Sequence, residues 1–439
     1  MVSTKKLVTG CIAGAMLLSV SACGSGSGNS SSAGGNGDQV VLNVWAWEPT
    51  YTDAAKLFEK KNPSIKVKIT NVGTSNKHYQ ALSNAISAGS GAPDVAQIEY
   101  GAVPQFAMQG SLKKLSGYGA DSYKNFYTKG AWNSVNVNGD IYSLPVDTGP
   151  MALFYNKDIF DKAGVTEAPK TFDQYYEAAK KIHALGSDYY ISYDSGAFAP
   201  LEEMMWAVGS HPFTVKDKTL GINFDNNPNL DRLLDVWQKM LNEGLLDTKS
   251  VQWSDEWNHS LNNGHIASLL CGAWMGSMLD DSAPDTKGQW RVAPMLMLDE
   301  GHPSNGEDGG SSLAILASSK QADAAYKFID FVCHNSAGIK ARVEKGQFPA
   351  DKRTLQDKDF LDRSDPYFGD QKINEVLAKA PDTVDTKWQF LPYQVYAQTT
   401  YGDTAGKAVI GEVTLKEGLN NWRKGLLKYG KDQGFEVRE

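Results

Sequence analysis

The chain has few of the side chains that most chemistry needs. Of 439 residues four are cysteine and seven histidine. No P-loop, no nucleophile elbow and no dinucleotide-type glycine fingerprint after a strand is present, which removes the corresponding nucleotide, hydrolase and dehydrogenase classes. His259 and His265 stand six apart, a spacing that does not put both on one helical face as metal ligands, and no metal or cofactor is expected. Carboxylates are common, but Glu202-Glu203 and Asp280-Asp281 are adjacent and diverge, so no local pair flanks a bond as glycoside cleavage requires. Basic charge is also short. The formal charge of −8 becomes −10 once Lys5 and Lys6 are removed with the leader described below, which argues against nucleic acid or an anionic membrane surface as the ligand.

The one long apolar run, residues 7–20, is too short to span a bilayer. Lys5 and Lys6 precede it and Val20-Ser21-Ala22-Cys23 follows as a lipobox, so residues 1–22 read as a signal peptide. Cys23 is expected to become the first mature residue and to carry lipid, fixing the protein to the outer face of a bacterial cytoplasmic membrane. Residues 23–38 are Cys23 followed by GSGSGNSSSAGGNGD, a flexible stalk with an r.m.s. reach of about 20 Å. Cys11 leaves with the leader, so only Cys271 and Cys333 remain; they read as buried apolar residues, not as a disulfide framework.

The rest is too long for one core, so two α/β domains are expected. VVLNVWAW (residues 40–47) alternates as a strand, and Thr52 or Asp53 can cap the helix after it. SIKVKITNV and PDVAQIEY read as further strands, with a helix from Asn76 between them ending at Gly89. This β-α-β-α-β order implies a mainly parallel sheet. Asn138-Gly139 marks a tight hairpin, and Thr148-Gly149-Pro150 bends the chain between two strands as a candidate hinge. Beyond it come helices over TFDQYYEAAKKIHALG and PNLDRLLDVWQKMLNEG, and a strand in HIASLLCGAWM.

Aromatic residues mark the strand ends. Trp45 and Trp47 close the first strand, Tyr100 the third and Trp274 a later one; Trp253 and Trp257 lie at a helix start, and Trp388 sits in a polar C-terminal segment. In open parallel sheets ligands bind beyond the carboxyl ends of strands. A flat apolar ring beside Asp, Glu or Asn suits a sugar, which stacks its C–H face and hydrogen-bonds its hydroxyls. Each has a plainer reading: Trp257 with Leu261 can be helix core, and Glu48, Glu99 and Asp147 can be solvated loop carboxylates. Trp45 and Trp47 leave the same face of their strand, so at most one of them stacks on ligand. Asp308, in DGGSS, can meet a ligand beside free backbone N–H groups.

Residues 137–182, with their Leu-Pro turn, Tyr-Asn-Lys strand end and Pro-Lys-Thr-Phe cap, resemble the extracellular solute-binding proteins of ATP-binding-cassette sugar importers, the group that includes maltose-binding protein. GAPDVAQIEYG, GSLKKL and GGSSLAIL…ADAAYKFIDFV extend the resemblance over nearly everything after residue 40. It implies a two-lobed α/β fold, each lobe a mainly parallel sheet flanked by helices and joined by hinge crossovers. Lobe one would hold residues 39–147 plus 305–360, and lobe two 148–304 plus 361–439. It also implies a monomer that captures an oligosaccharide and passes it to membrane permease subunits. The ligand contacts it suggests are Trp45, Trp47, Glu48, Asn76, Tyr79, Glu99, Tyr100, Asp147, Trp274 and Trp388, with Asp194 and Phe198 in the loop YDSGAFAP. A surface glycoside hydrolase, a receptor for peptides or metals, and a structural lipoprotein are the competing classes.

Overall fold

A computed structural model describes residues 39–438; the signal peptide, Cys23 and the stalk lie outside the described residues. The first strand, Val40–Trp45, buries Leu42 and Val44 and stops two residues earlier than its alternation suggests. The reason is a side chain. The amide oxygen of Gln97 accepts the backbone N–H groups of Trp47 and Glu48 at 3.1 and 3.2 Å, in place of a neighbouring strand's carbonyls. Glu48 Oε1 then accepts from Thr50 N at 2.9 Å. The helix Tyr51–Lys61 accordingly begins after Thr50, and neither Thr52 nor Asp53 caps it.

Val40–Trp45 pairs in parallel with Ile65–Thr70 and with Val95–Glu99, as the alternating pattern implies. Ser311–Ile315 lies antiparallel on Val95–Glu99, and Ser143–Pro145 antiparallel on Ser311–Ile315. The helix Ser75–Ala88 starts one residue before Asn76 and ends on Gly89 in the left-handed region, where a side chain would be strained. Asn138 and Gly139, with φ of 54° and 91°, form the tight turn of the Asn136–Val137/Asp140–Ile141 hairpin.

The second sheet is built around Met151–Asn156, with Ser268–Gly272 and Trp290–Pro294 antiparallel on its two sides. Strand direction is therefore more mixed than βα alternation suggests. Met151–Asn156 carries the chain away from the crossovers, whereas Ser268–Gly272 brings it back, with Gly272 opposite Met151. That register delivers Trp274 to the crossovers. Thr171 caps Phe172–His183 by accepting from Gln174 N at 3.2 Å. Asn227 caps Pro228–Asn242, which buries Leu230, Leu233, Leu234, Trp237 and Met240, leaving Leu241 half-buried.

One apolar core joins Leu42, Val44, Phe58, Leu313 and Phe328, and a second joins Phe172, Trp237, Tyr393 and Trp422. A third lies against the second sheet, where Phe154, Trp257 and Trp290 meet Ile339, Val343, Phe348 and Phe360. The helix Ser336–Val343 thus packs on this core and on the helix Tyr51–Lys61. Cys271 and Cys333 are buried and free. No helix among the described residues is long and apolar enough to cross a membrane.

The crossovers are held backbone to backbone. Asp308 N donates to Gly149 O at 2.7 Å, Val146 N to Ser311 O at 2.9 Å and Met151 N to Gly306 O at 3.1 Å. A Cβ on Gly149 would lie 1.9 Å from the Asp308 carbonyl oxygen, so only glycine allows this approach. Arg342, 1% exposed, ties these segments together by donating to Val146 O, Val332 O and Gln347 Oε1. Gly149→Ala should lower unfolding free energy by about 1–3 kcal/mol in denaturant titration. An unchanged midpoint would show that the crossovers are not packed this closely.

Candidate ligand-binding cleft

Two of the strand-end positions, Glu99 and Trp274, come together at Asp308. Its carboxylate accepts from Gly272 N at 2.9 Å and from the Cys271 thiol at 3.1 Å, and meets the carboxyl of Glu203. Its backbone carbonyl accepts from Trp274 Nε1 at 2.7 Å, which fixes the plane of that indole. Trp274 keeps part of its surface in solvent; Trp253 lies 5.8 Å away at 37° and Trp257 lies 5.3 Å from Trp253. Trp257 itself is fully buried, with Tyr193 edge-on to it.

Glu99 reaches the same neighbourhood from the end of the third strand, close enough to act electrostatically on Glu203. Its carboxylate accepts from Tyr79 Oη at 2.8 Å and Ser75 Oγ at 3.1 Å, while Tyr79 Oη takes the Glu99 N–H at 2.9 Å. Tyr100 is buried and donates to the Asp147 carbonyl at 2.6 Å. Asp147 is held by Ser311 N and by Gln347 Nε2 at 3.0 Å, and Glu307 by the Thr148 hydroxyl at 2.7 Å.

Burial raises all these acids. Asp147 and Glu307 are each pushed up to about 7, and Glu202, hydrogen-bonded by Gln394, to about 8. Glu99 and Asp308 rise too, and Glu203 rises well above the carboxylate range, with Asp308 adding to the effect of burial. Burial, hydrogen-bond partners and other acids act on Glu99, Glu202, Glu203 and Asp308, so the surface offers acceptors and shared protons. Among the described residues no group of three His, Cys, Asp or Glu could hold a metal ion.

Other candidates sit elsewhere or deeper. Trp45 and Trp47 are half-buried, and both set a ring edge against His78, at 6.5 and 4.9 Å. That histidine is wholly buried and its pKa falls to about 4. Glu48 turns its carboxylate onto the Thr50 N–H, and Asn76 is exposed on the first turn of its helix. Asp194 accepts from Trp237 Nε1 at 2.8 Å and from Gly196 N at 2.9 Å. Phe198 packs in the core between Tyr401 and Trp422. Trp388 is 9% exposed and stacks on Trp206 at 5.4 Å and 6°; with Phe390 they form one wall of a recess facing Asn133, Asn136 and Asn138.

Glu203 was not among the expected site residues. The helix Phe198–Ala207 buries all but two of its residues, Glu202 and Glu203 included, and two carboxylates in so apolar a run were the available signal. The two diverge, Glu202 to Gln394 and Glu203 to Asp308. Gln97 was missed as well, although it organises the exit of the first strand.

Residues 46–337 match the family model of bacterial extracellular solute-binding proteins. A solved structure, the ABC transporter associated binding protein from B. animalis subsp. lactis Bl-04 in complex with β-1,6-galactobiose, is 49% identical. The similarity covers 91% of this chain and 99% of that one, with a TM-score of 0.83. The galacto-N-biose-/lacto-N-biose I-binding protein from Bifidobacterium longum is 25% identical over 92% of this chain and all of its own, with a TM-score of 0.79. The arabinooligosaccharide-binding protein of Bacillus subtilis (strain 168) is 26% identical over 70% of this chain and 72% of its own length. With a family model spanning well over half its length and the two-lobed architecture of these structures, the chain belongs to the bacterial extracellular solute-binding protein family.

Proposed function

We propose that the protein is the substrate-capturing component of a carbohydrate ABC importer. It is anchored through lipid on Cys23, takes a neutral oligosaccharide into the cleft between its lobes, and delivers it to membrane permease subunits. The observation that carries this reading is the gathering of a fixed, partly open indole, Trp274, with the acceptors Glu99, Glu203 and Asp308 from three separate segments. Stacking on the indole supplies apolar contact, and the carboxylates orient hydroxyl donors. The sugars named for the relatives support the ligand class.

Lobe one is taken as residues 39–147 plus 305–360 and lobe two as 148–304 plus 361–439, the crossovers serving as hinge. A ligand touching groups from both lobes favours closure because it binds the closed form better, which shifts the population.

Trp274→Ala should weaken binding of β-1,6-galactobiose or the preferred neutral oligosaccharide by about 2 kcal/mol, on the order of 30-fold, in titration calorimetry. Unchanged affinity would remove Trp274 from the site. A uronate-bearing disaccharide should bind more weakly than its neutral counterpart, since like charges brought together cost several kcal/mol; equal affinity would contradict the acid-rich lining.

The buried acids also set a pH dependence. Their pKa values in this arrangement, about 7 for Asp147 and about 8 for Glu202, lie above those in water, so the stability gained is full below about pH 4 and is lost as pH rises through 7–8. The thermal midpoint of the ligand-free protein should fall between pH 5 and about 8.5, and fall less in Glu202→Gln. A midpoint that rises over that range would show these acids to be ionised in the folded protein.

A further inference from the structure

Ser75 opens the helix Ser75–Ala88 with a φ of +42°, in the left-handed region that serine seldom adopts. Thr74, which precedes it, makes no side-chain cap to the helix. The Ser75 hydroxyl instead reaches the end of the third strand, where its Oγ lies 3.1 Å from Glu99 Oε1 and 3.3 Å from Glu99 Oε2. One turn further along the helix, Tyr79 Oη donates to Glu99 Oε2 at 2.8 Å. Tyr79 is 2% exposed, whereas Ser75 and Glu99 are half-buried, so the two hydroxyls hold a carboxylate that keeps open surface.

The proton positions follow from counting. Tyr79 Oη accepts the Glu99 backbone N–H at 2.9 Å, so its single proton is left for the carboxylate. Ser75 also has one proton, and its partners are the two carboxylate oxygens. A carboxylate gripped by two donors is favoured in its charged, acceptor-only form. Burial pushes the Glu99 carboxyl up and Asp308 adds to this, while the Tyr79 and Ser75 hydroxyls pull it back. The ionisable groups around it are Tyr79 on the helix Ser75–Ala88, Asp308 on the crossover and Glu203 on the helix Phe198–Ala207. A protonated Glu99 would donate to one of those acids. An ionised one has only lone pairs to offer and is left for a ligand hydroxyl.

Serine in the left-handed region costs free energy that glycine at the same place would not. Glycine, however, would lack the hydroxyl. Strain kept where it delivers a bond to a site acid points to a role in that site. We propose that Ser75 is a positioning residue of the sugar site: with Tyr79 it fixes Glu99 as an acceptor, so that the sugar hydroxyl at this point is recognised as a donor. This rests on the sugar-cleft reading above. Ser75 acts through Glu99.

The test is titration calorimetry of the mature protein with β-1,6-galactobiose, maltotriose and arabinotriose between about pH 5 and 8. The variants are Ser75→Ala, Ser75→Gly, Glu99→Gln and the double variant Ser75→Ala with Glu99→Gln, and each sample is also melted. For the sugar that binds, Ser75→Ala and Ser75→Gly should each weaken wild-type affinity about 5–10-fold at neutral pH. Ser75→Gly relieves the left-handed strain and should melt no lower than wild type, which separates lost binding from lost folding. Affinity falls as pH falls and Glu99 takes up its proton; in Ser75→Ala that fall should begin at higher pH, because a carboxylate with one donor fewer protonates more readily. In the Glu99→Gln background, Ser75→Ala should change affinity by less than about twofold. Losses that add in the double variant would make Ser75 an independent sugar contact and overturn the proposal, as would an unchanged affinity and pH profile in Ser75→Ala. A wild type that binds while Glu99→Gln binds equally well overturns the role of Ser75 alone. A wild type that binds none of the sugars overturns the sugar-cleft reading, and the role of Ser75 with it.

Discussion

The constraint on which the molecule depends is the burial of carboxylates at the crossovers, held in direct contact by neutral donors, with the Arg342 guanidinium acting on Asp147 as well. Asp147, Glu307 and Asp308 lie on crossing segments, and each is held by neutral donors: backbone N–H groups of Ser311 and Gly272, the Gln347 amide, the Thr148 hydroxyl and the Cys271 thiol. A desolvated carboxylate is tolerated only when such donors are present or when it keeps its proton. The close backbone approach at Gly149 and the bracing by Arg342 keep those donors in place. In the proposed reading the crossovers are both hinge material and the floor of the cleft.

The same physics suits the floor to sugars. Acceptors and shared protons placed beside a fixed indole match a ligand with many hydroxyls and an apolar face. An anion would have to be buried beside the acids Glu99, Glu203 and Asp308, which already act on one another. Because the acceptors come from separate segments, the proposed closure is what would satisfy their hydroxyl partners together. Unsatisfied buried polar groups are costly, so the arrangement rewards one pattern of hydroxyls over others.

Much of this was legible in the sequence. Period-two strands, the Thr171 cap and the Asn138-Gly139 turn are local features, and each lies where its residues imply. The clustering of Glu99 and Trp274 followed from reading strand ends as ligand-facing. What the sequence hid was non-local. Glu203 meets Asp308 only after the Phe198–Ala207 helix packs against the crossover, and Gln97 shortens the first strand from a neighbouring one. Asp194 is occupied by Trp237, and Phe198 by the core, because loop residues with site-like chemistry also serve to satisfy and fill. The pairing of Trp45 and Trp47 sharpens in the same way: parity put both on one face, and that face meets His78.

The central claim is that an oligosaccharide draws the two lobes together over this acid-lined floor. Small-angle X-ray scattering of the mature domain, without and with saturating neutral oligosaccharide, tests it most directly. The expected result is a smaller radius of gyration with sugar, and no such change with a uronate-bearing analogue at equal concentration. Saturated binding, shown calorimetrically in the same sample, with an unchanged radius of gyration would contradict it.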